Sequence, residues 1–90
     1  MTKEQIEIIL AKAEEIYETP YSINACYYIF TEHATYKVRG SSIQTIFFNA
    51  RMIVFLQKDN IVFIPFDCIQ KIKLCDYKEW RTIVDEQKNA

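Results

Sequence analysis

From position 42 to position 74 the chain reads SIQTIFFNARMIVFLQKDNIVFIPFDCIQKIKL, a series of short apolar runs separated by turn-forming residues. Side chains along a strand alternate between its two faces. Here both faces are apolar. Met52, Val54 and Leu56 alternate with Ile53 and Phe55, and Ile61, Phe63 and Pro65 alternate with Val62, Ile64 and Phe66. A sheet of this kind must be covered on both sides, so the stretch constrains partners as well as fold.

The chain of 90 residues makes one domain, 1–90. A domain of this size buries roughly 60–65% of the surface its unfolded form exposes. Half of its residues are apolar or aromatic, with six Phe, six Tyr and one Trp. That is enough apolar area to offset chain entropy, which excludes a disordered chain.

The elements follow from pattern. Residues 2–18 read as a helix: Thr2 and Gln5 have capping-box spacing, and Ile6, Ile9, Leu10, Ala13, Ile16 and Tyr17 form one apolar stripe. Pro20 stops it. Ile8 lies off the stripe and is a candidate contact with a second subunit. Residues 21–32 read as a strand, with Tyr27 and Ile29 on one face and Cys26, Tyr28 and Phe30 on the other. Between Ile29 and Ala34 the inward parity changes from odd to even, which requires a turn at 31–34 or a bulge. Tyr36 and Val38 then point inward, and His33, Lys37 and Arg39 outward. Further strands are expected at 43–48, 51–57, 61–65 and 70–74, with turns at Gly40-Ser41-Ser42, Asn49-Ala50, Lys58-Asp59-Asn60 and 66–69. Asp76 and Glu79, with the stripe Tyr77, Trp80, Ile83 and Val84, predict a C-terminal helix from about residue 77.

The expected fold is therefore α+β: an N-terminal helix, an antiparallel meander of five or six strands, and a C-terminal helix. Three arrangements cover the sheet. The helices lie on opposite faces, the meander curls into a small barrel, or one face packs on a second subunit. Two short helices cover two broad faces poorly. A homo-oligomer is thus the favoured expectation, with Phe55, Phe63 and Ile8 as candidate interface residues.

Chemistry leaves few traces. His33 is the single histidine. Pairing it with Cys26 as a nucleophile and base has no supporting motif. Cys68 and Cys75 lack C-x-x-C spacing, and one histidine completes no obvious zinc site. With one glycine, Gly40, there is no glycine-rich phosphate cradle. No catalytic residue, metal site or cofactor is expected. The candidate ligand residues are polar groups set among aromatics: His33, Lys37, Arg39, Asn49 and Arg51, with Tyr28 and Tyr36. They suit a small anionic ligand such as a nucleotide, with Arg39 or Arg51 on phosphate. The formal net charge of −1 and a sequence pI near 5.8 argue against nucleic acid and against an anionic membrane surface, leaving room only for a local basic patch. Three cysteines and an N-terminus whose apolar run is broken by charges point to reduced thiols in the cytoplasm, and no apolar run is long enough to span a bilayer.

No diagnostic motif occurs. The segment IVFIPFDCIQKIKL resembles, in its strand–turn–strand rhythm, the end of Sm-like and SH3-like small barrels and of PH-like domains. The resemblance implies a small barrel. In the Sm-like case it also implies RNA binding through loops, of which Lys58-Asp59-Asn60 is the counterpart. The expected function is a non-enzymatic binding or inhibitor protein that occupies a protein partner, with a composition that suits a phage or mobile-element anti-defence protein. The alternatives are a nucleotide-sequestering protein with its ligand between subunits, and an Sm-like RNA-binding module.

Overall fold

The computed structural model describes residues 1–75. One helix, α1 (Lys3–Tyr17), precedes five strands: β1 (Cys26–Thr31), β2 (Thr35–Arg39), β3 (Met52–Gln57), β4 (Asn60–Pro65) and β5 (Ile69–Leu74). Three short 3-10 segments, Gly40–Ser42, Thr45–Ala50 and Phe66–Cys68, link them. The helix expected from about residue 77 lies outside the described residues.

Helix α1 starts as its sequence dictates. Thr2 Oγ1 accepts from the Gln5 amide at 3.1 Å, and Gln5 Oε1 accepts from the Thr2 amide at 2.9 Å. Both orphan donors are thereby satisfied. The helix ends at Glu18, which has φ 71°, ahead of Pro20. Ile6 and Ala13 are buried, with Ile9, Leu10 and Tyr17 packed beside them. Ile16, the remaining member of the stripe, is exposed.

The turn expected at 31–34 is present and converts β1 and β2 into an antiparallel hairpin. The Thr31 amide donates to the Ala34 carbonyl at 2.8 Å, and the Ala34 amide donates to Thr31 Oγ1 at 3.1 Å. That turn explains the change of parity. The hairpin of β3 and β4 likewise forms around Lys58-Asp59, with Gln57 opposite Asn60.

Four expectations are corrected. The first strand begins at Cys26 rather than at residue 21. Ahead of it, the hydroxyls of Thr19 and Ser22 accept from the amides of Tyr21 and Asn24 and hold turns instead. The strand expected at 43–48 is mostly the 3-10 segment Thr45–Ala50, with a single bridge from Ile43 to Phe55. A short apolar run fits a strand or a 3-10 segment, so the apolar pattern alone does not separate them. Phe48 packs on Phe66 and Phe47 on Phe63. The meander is also broken. β5 pairs with β1 and not with β4, giving one sheet in the order β2-β1-β5 and a second of β3 and β4. Sequential strands are neighbours only as a tendency. Here Ile69, Ile72 and Leu74 complete the apolar surface started by Tyr27 and Ile29. Finally, the five strands form two separate sheets and no closed barrel.

The core lies between α1, the inward face of β2-β1-β5 and the inward face of β3-β4, centred on Ile6, Tyr27, Ile29, Phe55, Phe66 and Ile69. Tyr17 donates to the Cys75 carbonyl at 2.5 Å and Tyr27 to the Pro20 carbonyl at 2.6 Å. The Met1 ammonium donates to the carbonyls of Phe66 and Ile69 at 2.7 and 2.9 Å. Burial raises the pKa of the Tyr27 phenol above its ordinary 10.0, with Tyr17, Tyr21 and Cys26 adding in the same direction. Burial raises Tyr21 as well.

The lone glycine is there because nothing larger fits. The Gly40 amide donates to the Ala25 carbonyl at 2.8 Å, and a Cβ at Gly40 would lie 2.4 Å from the Pro20 carbonyl oxygen and 2.8 Å from Ala25 Cβ. Gly40→Ala is therefore expected to lower the unfolding free energy by about 1–3 kcal/mol in urea titrations, while Ser41→Ala next to it has little effect. Phe55 is 1% exposed and Phe63 51%. Phe55→Ala should cost about 3–5 kcal/mol, and Phe63→Ala far less in the isolated chain. A raised phenol pKa in the folded state makes ionisation favour unfolding. Stability from Tyr27 is present below about pH 10 and is lost as pH rises beyond it. The urea midpoint should accordingly fall in that range. Tyr27→Phe should flatten the fall and cost about 1 kcal/mol at neutral pH through the lost hydrogen bond.

Candidate functional site

Strand β1 is the middle of its sheet, so its outward residues have neighbours on both sides. Tyr28 lies opposite Lys37 of β2 and Lys73 of β5. Phe30 lies opposite Thr35 and Lys71, and Cys26 opposite Arg39. The lysine ammonium groups stand over the rings. Lys71 is 4.5 Å from the Phe30 centroid, and Lys73 and Lys37 are 5.7 and 5.9 Å from that of Tyr28. The two rings are 6.4 Å apart, tilted by 44°. None of the three strands contains an Asp or Glu. The result is a cationic, aromatic sheet face. At its end Arg39 holds a buried Nε that has no hydrogen-bond partner among the described residues.

The candidate ligand residues divide in consequence. Tyr28, Lys37 and Arg39 share this face. Tyr36 lies on the opposite face of β2, its ring edge-on to Phe55 at 5.6 Å, and belongs to the core. His33 is exposed in the β1–β2 turn, 3.8 Å from Glu32. Asn49 and Arg51 are exposed at the junction of the 3-10 segment and β3, where Arg51 has φ 57°. One pocket shared by all seven does not form. Lys71 and Lys73, which complete the cationic face, were not singled out by sequence. The signal was there in IQKIKL, whose lysines alternate with Ile72 and Leu74, but the partner strand was not.

Cys26 and His33 stand at opposite ends of β1, about 20 Å apart at 3.3 Å per residue. The nucleophile–base pair is not assembled. Cys26 and Cys75 are buried together, whereas Cys68 is exposed. No group of three or more His, Cys, Asp or Glu is positioned to hold a metal among the described residues. A shallow cleft between α1 and the 3-10 segment is lined mainly by apolar side chains, Ile6, Leu10, Ile43, Phe48 and Ile53 among them, together with Tyr21, Gln44 and Thr45. No helix among the described residues is long and apolar enough to cross a membrane.

A second surface is apolar. On the outward face of the β3–β4 hairpin, Leu56 opposes Ile61 and Val54 opposes Phe63. Leu56, Ile61 and Phe63 are 48%, 57% and 51% exposed. Phe47 packs edge-on against Phe63 at 5.8 Å and extends the patch. Of the three candidate interface residues, Phe63 lies here, and Ile8 is exposed on α1. Phe55 is corrected: its parity puts it on the inward face of β3, where it is buried within the chain and unavailable to a partner.

Comparison with protein-family models, with curated proteins and with solved structures finds no match to this chain.

Proposed function

We propose that this chain is a non-enzymatic binding protein that self-associates through the outward face of its β3–β4 hairpin and acts by occupying a protein partner. The carrying observation is the contiguous exposed patch of Leu56, Ile61 and Phe63 with Phe47 beside it. Each large apolar side chain fully buried contributes about 1.5–3 kcal/mol, so covering three or four of them in one contact is a substantial drive to associate. Apolar residues scattered singly would carry no such argument; a rimmed cluster on a two-stranded element does. The hairpin also gives the contact a defined shape, since sheet faces pack in a few preferred orientations. A two-fold contact would place Phe63 of one subunit near Phe63 or Ile61 of the other. Ile8, on the helix, would then be available to a different partner.

Light scattering coupled to size exclusion tests this directly. The wild-type chain is expected to run as a dimer or larger species, and Phe63→Asp as a folded monomer with an unchanged circular dichroism spectrum. A wild-type chain that stays monomeric at high concentration would remove the association. A multimer that survives Phe63→Asp but dissociates with Ile8→Asp would move the interface to the helix.

A further inference from the structure

We infer that the free edge of β4 pairs antiparallel with the same edge of a second copy, so that two hairpins make one four-stranded sheet about a two-fold axis at Val62. This rests on the self-association proposed above and specifies the contact that makes it. The hydrogen-bond pattern of the hairpin decides which groups are free. In an antiparallel pair, residues bonded across the pair alternate with residues whose amides and carbonyls point away from it. The Phe66 amide donates to the Arg51 carbonyl at 2.9 Å, one step beyond Met52 opposite Pro65, so the bonded rows continue as Ile53–Ile64 and Phe55–Val62. The Val54 carbonyl points the other way and accepts from the Gln44 amide at 2.7 Å. Val54 lies opposite Phe63, and Leu56 opposite Ile61. Phe63 and Ile61 therefore direct their amides and carbonyls away from β3. The outer edge of β3 is met by Gln44 and by the bridge from Ile43 to Phe55, whereas β4 ends its sheet among the described residues. Two donors and two acceptors are thus presented there by two residues that are each more than half exposed.

Such an edge accepts another strand unless charge or proline blocks it. From Asn60 to Pro65 the strand has no charged side chain, and its proline stands at the last position. A second copy is therefore not repelled, and it carries the matching groups. With Val62 opposite Val62 of the other copy, Ile61 of each meets Phe63 of the other. Both pairs then exchange two hydrogen bonds, and every free group is used. With Phe63 opposite Phe63 instead, Pro65 would face Ile61 and leave the Ile61 carbonyl without a donor. The two-fold axis stands perpendicular to the sheet, so the patches of Leu56, Ile61 and Phe63 from both copies join on one side of it. There Ile61 packs beside Phe63 of the other copy as a cross-strand pair.

The test is light scattering coupled to size exclusion over a concentration series, with circular dichroism to check folding. Ile61→Ala removes a side chain and keeps the edge amide. Ile61→Pro also removes that amide, which β3 does not use. The proline variant should dimerise roughly 5- to 100-fold more weakly than the alanine variant, because the two-fold doubles the loss of one net hydrogen bond. Should the proline variant unfold, cross-linking decides. In a Cys68→Ser background, Val62→Cys should form a disulfide-linked dimer with glutathione disulfide as oxidant, since a non-bonded cross-strand pair stands about 4.5 Å apart at Cα. Leu56→Cys should not. A dimer equally sensitive to Ile61→Ala and Ile61→Pro, or cross-linked through Leu56→Cys and not Val62→Cys, would overturn the edge contact and leave self-association through the face. A monomeric wild-type chain would overturn both and leave the edge to a strand of a different protein.

Discussion

The pairing of β5 with β1 is the interaction on which the rest of this molecule depends. It brings residues 69–74 back across the chain to residues 26–31. Closing so long a loop costs entropy that grows slowly with length and must be recovered by what the closure buries. What it buries is the inward row of Ile69, Ile72 and Leu74 against Tyr27, Ile29 and helix α1. The pairing also makes β1 central, and only a central strand has side chains flanked on both sides. Several remote contacts follow from the same closure. The Met1 ammonium reaches the Phe66 and Ile69 carbonyls, and Tyr17 reaches the Cys75 carbonyl. Each ties α1 to the return strand, so the helix and sheet hold one another in place.

Local features were legible in the sequence because their causes are local. The Thr2–Gln5 capping box, the turn at Thr31–Ala34 and the Lys58-Asp59 turn are each specified within a few residues. The strand assigned to residues 43–48 failed for a related reason. A short apolar run fits an extended or a 3-10 conformation equally, and the choice was made by Phe48 packing on Phe66, many residues downstream. The exchange of a meander for β2-β1-β5 is the larger miss. Nothing within IQKIKL says which strand it will join. Parity did place Lys37 and Arg39 outward and Tyr36 inward, as found. It could not show that Lys71 and Lys73 would stand beside Tyr28 and Phe30.

The expectation that both faces of the apolar strands need cover also survives in altered form. In β3 and β4 the inward residues Ile53, Phe55 and Ile64 are buried by the chain itself. The outward Val54 is buried as well, with the 3-10 segment packed against its strand. What remains uncovered is narrower than a whole sheet face: the far end of the hairpin at Leu56, Ile61 and Phe63. Association through the patch would complete the same burial that folding began.

Among the described residues, two groups of like charge lie on different elements. The glutamates Glu4, Glu7, Glu14, Glu15 and Glu18 are exposed on α1, which packs on the inward side of β2-β1-β5. The lysines stand on the outward side. A helix packed on a sheet sets these two populations more than about 10 Å apart, beyond a Debye length of about 8 Å at physiological ionic strength.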